Sequence, residues 1–164
     1  MTLAIDPGST ESGVVLLDSD YSPAFFDIIP NEKIIPIIAL EIGSNKPNTV
    51  IEMVAHYGTG MPAGKDVFDT CVWIGRFIES LTQMGIVVTT LPRQTVKLHL
   101  CNSVRAKDQN VIQALVDRFA KETHGKYGKG TKKDPGFFFG FRDDVWQAFA
   151  LGTTFLDLKE KGEI

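Results

Sequence analysis

Short apolar runs and longer helical stripes alternate along this chain, and turn-forming residues separate them. Leu3-Ala4-Ile5 is too short for a helix and reads as a buried strand leading straight to Asp6. Pro7-Gly8 and Gly13 mark the turn into a second strand over 13–18, and residues 24–29 read as a third, which Pro30-Asn31 ends. Residues 32–42 fit a short helix with Asn31 as its cap and Pro36 as a kink or delay. A loop at 43–48 precedes a strand over 49–55, apolar on both faces and therefore central in a sheet. A glycine-rich loop at 58–64 leads into a long helix over about 65–84, and residues 85–90 make a fifth strand. Pro92 suits the first turn of a helix carrying Arg93, Lys97 and His99, which residues 101–106 break. Helices over about 107–122 and 143–159 complete the pattern.

Two segments depart from simple one-sided patterning. In the helix over 65–84, Val67, Cys71, Ile74, Ile78 and Leu81 form one stripe, Phe68, Val72 and Gly75 widen it, and Trp73 and Phe77 carry it further round. One sheet face cannot absorb so wide a surface, so the helix is expected to be buried on both sides, against a second subunit or under loops of its own chain. Between 124 and 142, Lys126, Lys129, Lys132 and Lys133 sit among glycines, and Phe137-Phe138-Phe139-Gly140-Phe141 follows. A structureless stretch of this length is functional or disordered. Interleaved lysine and aromatic residues suit phosphate contacts and base stacking. The other reading is a solvated loop whose phenylalanines tuck into the core.

Composition bounds the rest. With 164 residues, 43% hydrophobic and 23% charged, the chain reads as one α/β domain over 1–164. No apolar run reaches the ~18–20 residues of a membrane span, and the N-terminus lacks a secretory pattern. Cys71 and Cys101 match no zinc spacing, so a reducing, cytoplasmic compartment is expected. Net charge −3 argues against indiscriminate nucleic-acid binding and leaves room for a local basic surface.

The chemistry lies in isolated carboxylates. Asp6 sits in the middle of a hairpin, where an ionised carboxylate is costly unless paired. It either meets a metal ion or bonds the amides of its turn. Glu52 is the only charge of its strand, which points to a functional site, an edge position or a salt bridge to lysine. Asp144 lies on the edge of the last helix's buried face of Val145, Ala148, Phe149, Gly152, Phe155 and Leu156, with Gln147 one turn on and Asp143 turned further towards solvent. If the first and fourth strands are neighbours and the last helix crosses them, the three carboxylates meet at one sheet edge. An oxygen-only cluster suits Mg²⁺ or Mn²⁺, and two such ions support phosphodiester hydrolysis.

This pattern resembles the ribonuclease-H-like superfamily, and within it the RuvC-like Holliday-junction resolvases, with a longer lysine- and phenylalanine-rich loop that looks like bacteriophage relatives. The resemblance rests on Ile5-Asp6-Pro7-Gly8-Ser9-Thr10 with Gly13, on Val50-Ile51-Glu52-Met53-Val54, on Pro92 to Lys97 followed by Arg105 to Val111, and on Asp144-Val145-Trp146-Gln147-Ala148-Phe149-Ala150. It implies a five-stranded mixed sheet flanked by helices, and a Mg²⁺-dependent homodimer that cuts four-way DNA, paired through the helix about 65–84. Asp6, Glu52 and Asp144 are then metal ligands, with Asp143 and Gln147 beside them. Lys97 and Lys107 correspond to the basic residues near the scissile phosphate. Gln147 departs from the aspartate that many members carry, which weakens one metal site or passes its role to Asp143. Arg93 and Arg105, with the four loop lysines, are the expected DNA contacts.

Three other readings compete. Sugar kinases and actin-like ATPases also place Asp and Gly-Ser-Thr after a first strand, but they need two such domains and a far longer chain. A related nuclease acting on flaps, forks or RNA–DNA hybrids stays open, as does a protein that grips branched DNA without cutting it.

Overall fold

The computed structural model describes residues 1–42, 46–55, 64–120 and 125–164. The expected loops at 43–48 and 58–64 and the predicted end of the helix at 121–122 fall wholly or partly outside these residues. Five strands form one mixed sheet: β1 (Thr2–Asp6), β2 (Glu11–Leu17), β3 (Pro23–Pro30), β4 (Asn48–Met53) and β5 (Val88–Pro92). Their order is β3-β2-β1-β4-β5, with β1 antiparallel to β2 and parallel to β4, and β4 parallel to β5. β4 is thus internal, as its two apolar faces require. It ends at Met53, and β5 is shifted to 88–92.

Period-two alternation divides the strands between two cores. Leu3, Ile5, Val14, Leu16 and Ile51 pack with helices α1 (Asn31–Ile42) and α2 (Lys65–Gln83) on one face. Ala4, Val15, Leu17, Val50 and Leu91 pack on the other with helices α3 (Arg93–Cys101), α4 (Asp108–Phe119) and α5 (Asp143–Glu160). The same alternation sends Asp6, two residues after Ala4, and Glu52, two after Val50, to the α5 side. α5 is apolar nearly all round because it lies against β1, β2 and β4 on one side and α3 and α4 on others.

One sequence expectation is narrowed and two are corrected. α2 buries a narrow stripe, Ile74, Phe77 and Leu81, while Val67, Phe68, Cys71 and Val72 are exposed, so the described loops of its own chain do not cover its second side and the second-subunit alternative is the one left open. Asn31 begins α1 but caps nothing; its buried amide accepts from the Ser12 hydroxyl at 2.6 Å and donates to the Gly8 carbonyl at 3.0 Å, bracing the β1–β2 turn. Pro36 is accommodated inside α1.

Of the 124–142 segment, the described residues 125–142 are also more regular than their composition suggests. A 3₁₀ turn over Lys126–Gly128 leads to a small hairpin, in which the Gly136 N–H donates to the Lys129 carbonyl (2.9 Å) and Thr131 and Asp134 bond each other's backbone. Phe138 and Phe141 are fully buried and Phe137 half-buried among Phe119, Trp146 and Phe149, because a chain this glycine-rich needs an apolar anchor. Only Phe139 is exposed, so base stacking on the phenylalanine run is withdrawn.

Candidate active site

An open cavity of about 810 Å³ lies where the ends of β1 and β4 meet the start of α5. Such crevices beyond the carboxyl ends of parallel strands, at the point where the strand order reverses, are where α/β sheets carry their sites. Asp6, Glu52, Asp143, Asp144 and Gln147 all line it.

Strand register puts the first two side by side. Ile5 pairs with Ile51, so Asp6 and Glu52 follow on adjacent parallel strands. On its other side Asp6 pairs with Gly13, and the backbone of Asp144 occupies the space a Gly13 side chain would need. Asp143 starts α5 with a left-handed φ of 37°, a conformation short polar residues tolerate, and two acids in the first turn suit the helix dipole.

The electrostatics are dominated by carboxylate crowding. Burial, then the charge of Glu52, pushes the Asp6 carboxyl well above its ordinary range; Arg93 opposes this, while Asp144 and Asp108 add to it. Among the described residues no N–H or O–H donates to the Asp6 carboxylate. Burial also raises Glu52, against the pull of Arg93. The Arg93 guanidinium lies 3.2 Å from Glu52 and 2.9 Å from Asp108, and Lys97 reaches Asp108 at 3.6 Å. Burial lowers Arg93, and its two carboxylate partners more than restore it.

Of the predicted basic residues, Arg93 and Lys129 line the cavity. Lys97 stands behind it, paired with Asp108, and Lys107 precedes α4 with its backbone N–H on the Asn110 side chain. Arg105, Lys126, Lys132 and Lys133 are exposed outside it. Among the cavity's other lining residues are a carboxylate, a phenol and a guanidinium that the pattern of isolated carboxylates did not mark: Asp108, Tyr127 and Arg142. Asp108 opens a helix between two basic segments, a position where an acid is commonly a charge partner. Arg142, flanking Asp143, donates to Asp27 at 2.7 Å.

Oxygen donors around one cavity, one of them half-buried and without a hydrogen-bond donor among the described residues, fit a hard divalent cation such as Mg²⁺ or Mn²⁺. They do not form a closed cage: among the described residues no three His, Cys, Asp or Glu side chains make up a formed metal-binding group. Glu52 is tied to Arg93, and Asp144 lies on the exposed rim.

A five-stranded mixed sheet with helices on both faces and an acidic cavity at β1, β4 and α5 defines the ribonuclease-H-like class of fold. Within it, the chain is similar to the Thermus thermophilus RuvC structure, with TM-score 0.65 and 16% identity over 98% of this chain and 96% of that one. It is also similar to T. thermophilus RuvC in complex with Holliday junction substrate, with TM-score 0.68 and 15% identity over 98% and 95% of the two chains. No family model matches the sequence, and no curated protein does. The expected fold is therefore present, reached through structure where sequence similarity is low.

Proposed function

We propose that this chain is a divalent-metal-dependent endonuclease that hydrolyses phosphodiester bonds of branched DNA, four-way junctions foremost. The observation that carries the reading is the meeting of Asp6, Glu52 and Asp144, from three distant stretches of sequence, in one open acidic cavity. The RuvC structure in complex with Holliday junction substrate, matched over nearly the whole chain, supports the substrate class.

Mg²⁺, with Mn²⁺ as substitute, is held by Asp6, Glu52 and Asp144, with Asp143 and Gln147 as further oxygen donors. A bound pair of such ions supplies an activated water and stabilises the leaving oxygen. The chain's own groups do the rest. Asp6 keeps both carboxylate oxygens available because no donor among the described residues occupies them. Arg93 orients Glu52 and, with Lys97, neutralises Asp108. Lys129 and Arg142 line the cavity where phosphate oxygens approach. Lys107, Arg105, Lys126, Lys132 and Lys133 are outer phosphate contacts, which position DNA without reading its sequence.

A homodimer formed through the exposed apolar face of α2 gives two cavities related by a two-fold axis, matching the symmetry of a four-way junction. Binding without cutting is the second reading, favoured by the neutral Gln147 among the cavity donors. The deciding experiment is cleavage of synthetic four-way, forked, flap, RNA–DNA hybrid and linear substrates in Mg²⁺ and Mn²⁺. Asp6→Asn and Glu52→Gln are each expected to abolish cutting and leave junction binding largely intact. If either mutant cuts normally, the metal-site assignment fails; if the wild type binds junctions in EDTA and never cuts, the binding reading replaces it.

A further inference from the structure

A second cavity, of about 620 Å³, lies against the first, and Tyr127 and Lys129 line both. Its remaining described wall comes from the same glycine-rich stretch: Gly125, Lys126, Gly130, Thr131 and Asp134. The tight hairpin bonds fix this stretch in place. Gly128 packs so closely on Ala120 that a Cβ there could not be accommodated, and its carbonyl accepts from the Phe138 N–H at 3.2 Å.

Four of the six residues from Gly125 to Gly130 have left-handed φ, and one of them is not glycine: Tyr127, at φ 62°. A bulky residue there is an outlier that the surroundings must over-determine. The result is an aromatic ring at the junction of two cavities, with the Lys126 ammonium 5.0 Å from its centroid and Trp146 behind it at 6.2 Å, edge-on. Lys129 lies over the Trp146 ring at 5.9 Å and has no carboxylate partner among the described residues. Every other described basic residue of the first cavity is paired: Arg93 with Glu52 and Asp108, Arg142 with Asp27.

We propose that this second cavity is a nucleotide subsite for the DNA strand being cut. The phosphate next to the scissile one meets Lys129, and the nucleotide beyond it, unpaired at the branch, stacks its base on Tyr127. The inference rests on the nuclease reading for which strand enters. It adds what holds that strand's flank. Continuity with the carboxylate cavity selects a polymer running from one to the other, the Lys129 ammonium, without a carboxylate partner among the described residues, selects an anion, and a ring beside the Lys126 ammonium suits a base, since every base has a π-face.

The test is photo-crosslinking. A four-way junction is built with 5-iododeoxyuridine at each position in turn around the branch and bound to the full chain in EDTA, and adducts are mapped by mass spectrometry. One or two adjacent positions are expected to give adducts at Tyr127. Tyr127→Gly, which keeps the left-handed backbone, is expected to lose them and weaken junction binding roughly tenfold, the size of one base stack, while Tyr127→Phe retains both. Lys129→Gln is expected to slow single-turnover cutting at saturating protein, whereas Lys33→Gln, at an exposed position on α1 at the other face of the sheet, leaves it unchanged. A junction that is bound and cut with no Tyr127 adduct at any position overturns the subsite and leaves the nuclease reading standing. Tyr127 adducts on DNA that is never cut in Mg²⁺ or Mn²⁺ leave the subsite standing and overturn the nuclease. Absence of junction binding overturns both.

Discussion

The backbone of Asp144 rests directly on Gly13: a Cβ at position 13 would collide with the Asp144 carbonyl and meet its Cβ. Because Gly13 is also the strand partner of Asp6, this one missing side chain lets the start of α5 come down beside the end of β1. Gly13→Ala is therefore expected to push Asp144 away from Asp6 and cost about 1–3 kcal/mol as an overpacked contact. Gly152→Ala is the control, because its Cβ would meet Leu17 and Ala4 in the middle of the same interface, far along α5 from the carboxylates. Both variants should melt earlier, but only Gly13→Ala should lose cutting beyond what its melting temperature accounts for. Equal losses of activity at equal stability would separate Gly13 from the site.

The crowding at Asp6 has a consequence for stability. Burial, then Glu52, Asp144 and Asp108, raise its carboxyl well above the ordinary range despite Arg93. A carboxyl raised in the folded state favours folding most at low pH, where both states hold the proton. That stability is lost as pH rises from the ordinary aspartate range through the raised folded value. In EDTA, Asp6→Asn should thus match the wild type near pH 4 and melt at higher temperature at pH 7 and above. Thermal melts across that range check this, and a mutant less stable than wild type at neutral pH would mean that Asp6 is favourably paired. With the expected outcome, a melt at higher temperature, removing the Asp6 carboxylate is stabilising and inactivating together, a common trade at active sites.

The three carboxylates that line the cavity stood out in the sequence because each breaks a local rule: a charge ending a buried strand at Asp6, the single charge of β4 at Glu52, an acid on the edge of an apolar face at Asp144. Alternation then gave the side of the sheet, since Asp6 follows Ala4 and Glu52 follows Val50. What the sequence left open depends on tertiary partners. Arg93 reads as a DNA contact until β5 and α3 place it between Glu52 and Asp108. The wide apolar surface of α2 has a helical period but no signal for which third of it meets the sheet. Likewise a Phe-rich run among lysines has the same composition whether its rings face bases or Trp146, and only the aromatic cluster decides it.

The exposed part of α2 makes a prediction about assembly. Phe68 and Val72 are each more than half exposed, on the side of α2 turned away from the buried Ile74, Phe77 and Leu81, and Val67 and Cys71, on the buried stripe's own line, are also exposed near the helix start. An apolar patch of this kind on one helix marks an interaction face. In the dimer reading, Phe68→Asp or Val72→Asp weakens self-association by about 2 kcal/mol or more, the scale of a central interface anchor. Sedimentation velocity at micromolar concentration should show wild-type dimers and mutant monomers, with junction cutting reduced to single nicks. A wild type that sediments as a monomer at these concentrations would remove α2 from the assembly.

Far from the cavity, at the other end of α5, Asp157 ties four elements together. Its carboxylate accepts from the Tyr21 hydroxyl at 2.7 Å and from Arg118 at 2.6 and 2.9 Å, and lies 2.7 Å from His99 Nε2. Burial raises the Asp157 carboxyl, but these bonds outweigh it and hold it well below the ordinary range. Burial and Asp157 together push Tyr21 up to about 12. The signs are opposite to those at Asp6 on the acid side. A depressed carboxyl gives stability that is present above the ordinary aspartate range and lost as pH falls through the folded value, while a raised phenol gives stability that is present below about pH 10 and lost as pH rises towards 12. Asp157→Asn should therefore flatten the acid limb of the stability profile, and Tyr21→Phe the alkaline limb, each leaving the cavity's metal response unchanged. Urea denaturation at closely spaced pH values separates the two limbs. A Tyr21→Phe variant with an unaltered alkaline limb would show that the phenol ionises without loosening the clamp, and that the hold on α5 rests on Arg118 and His99 alone.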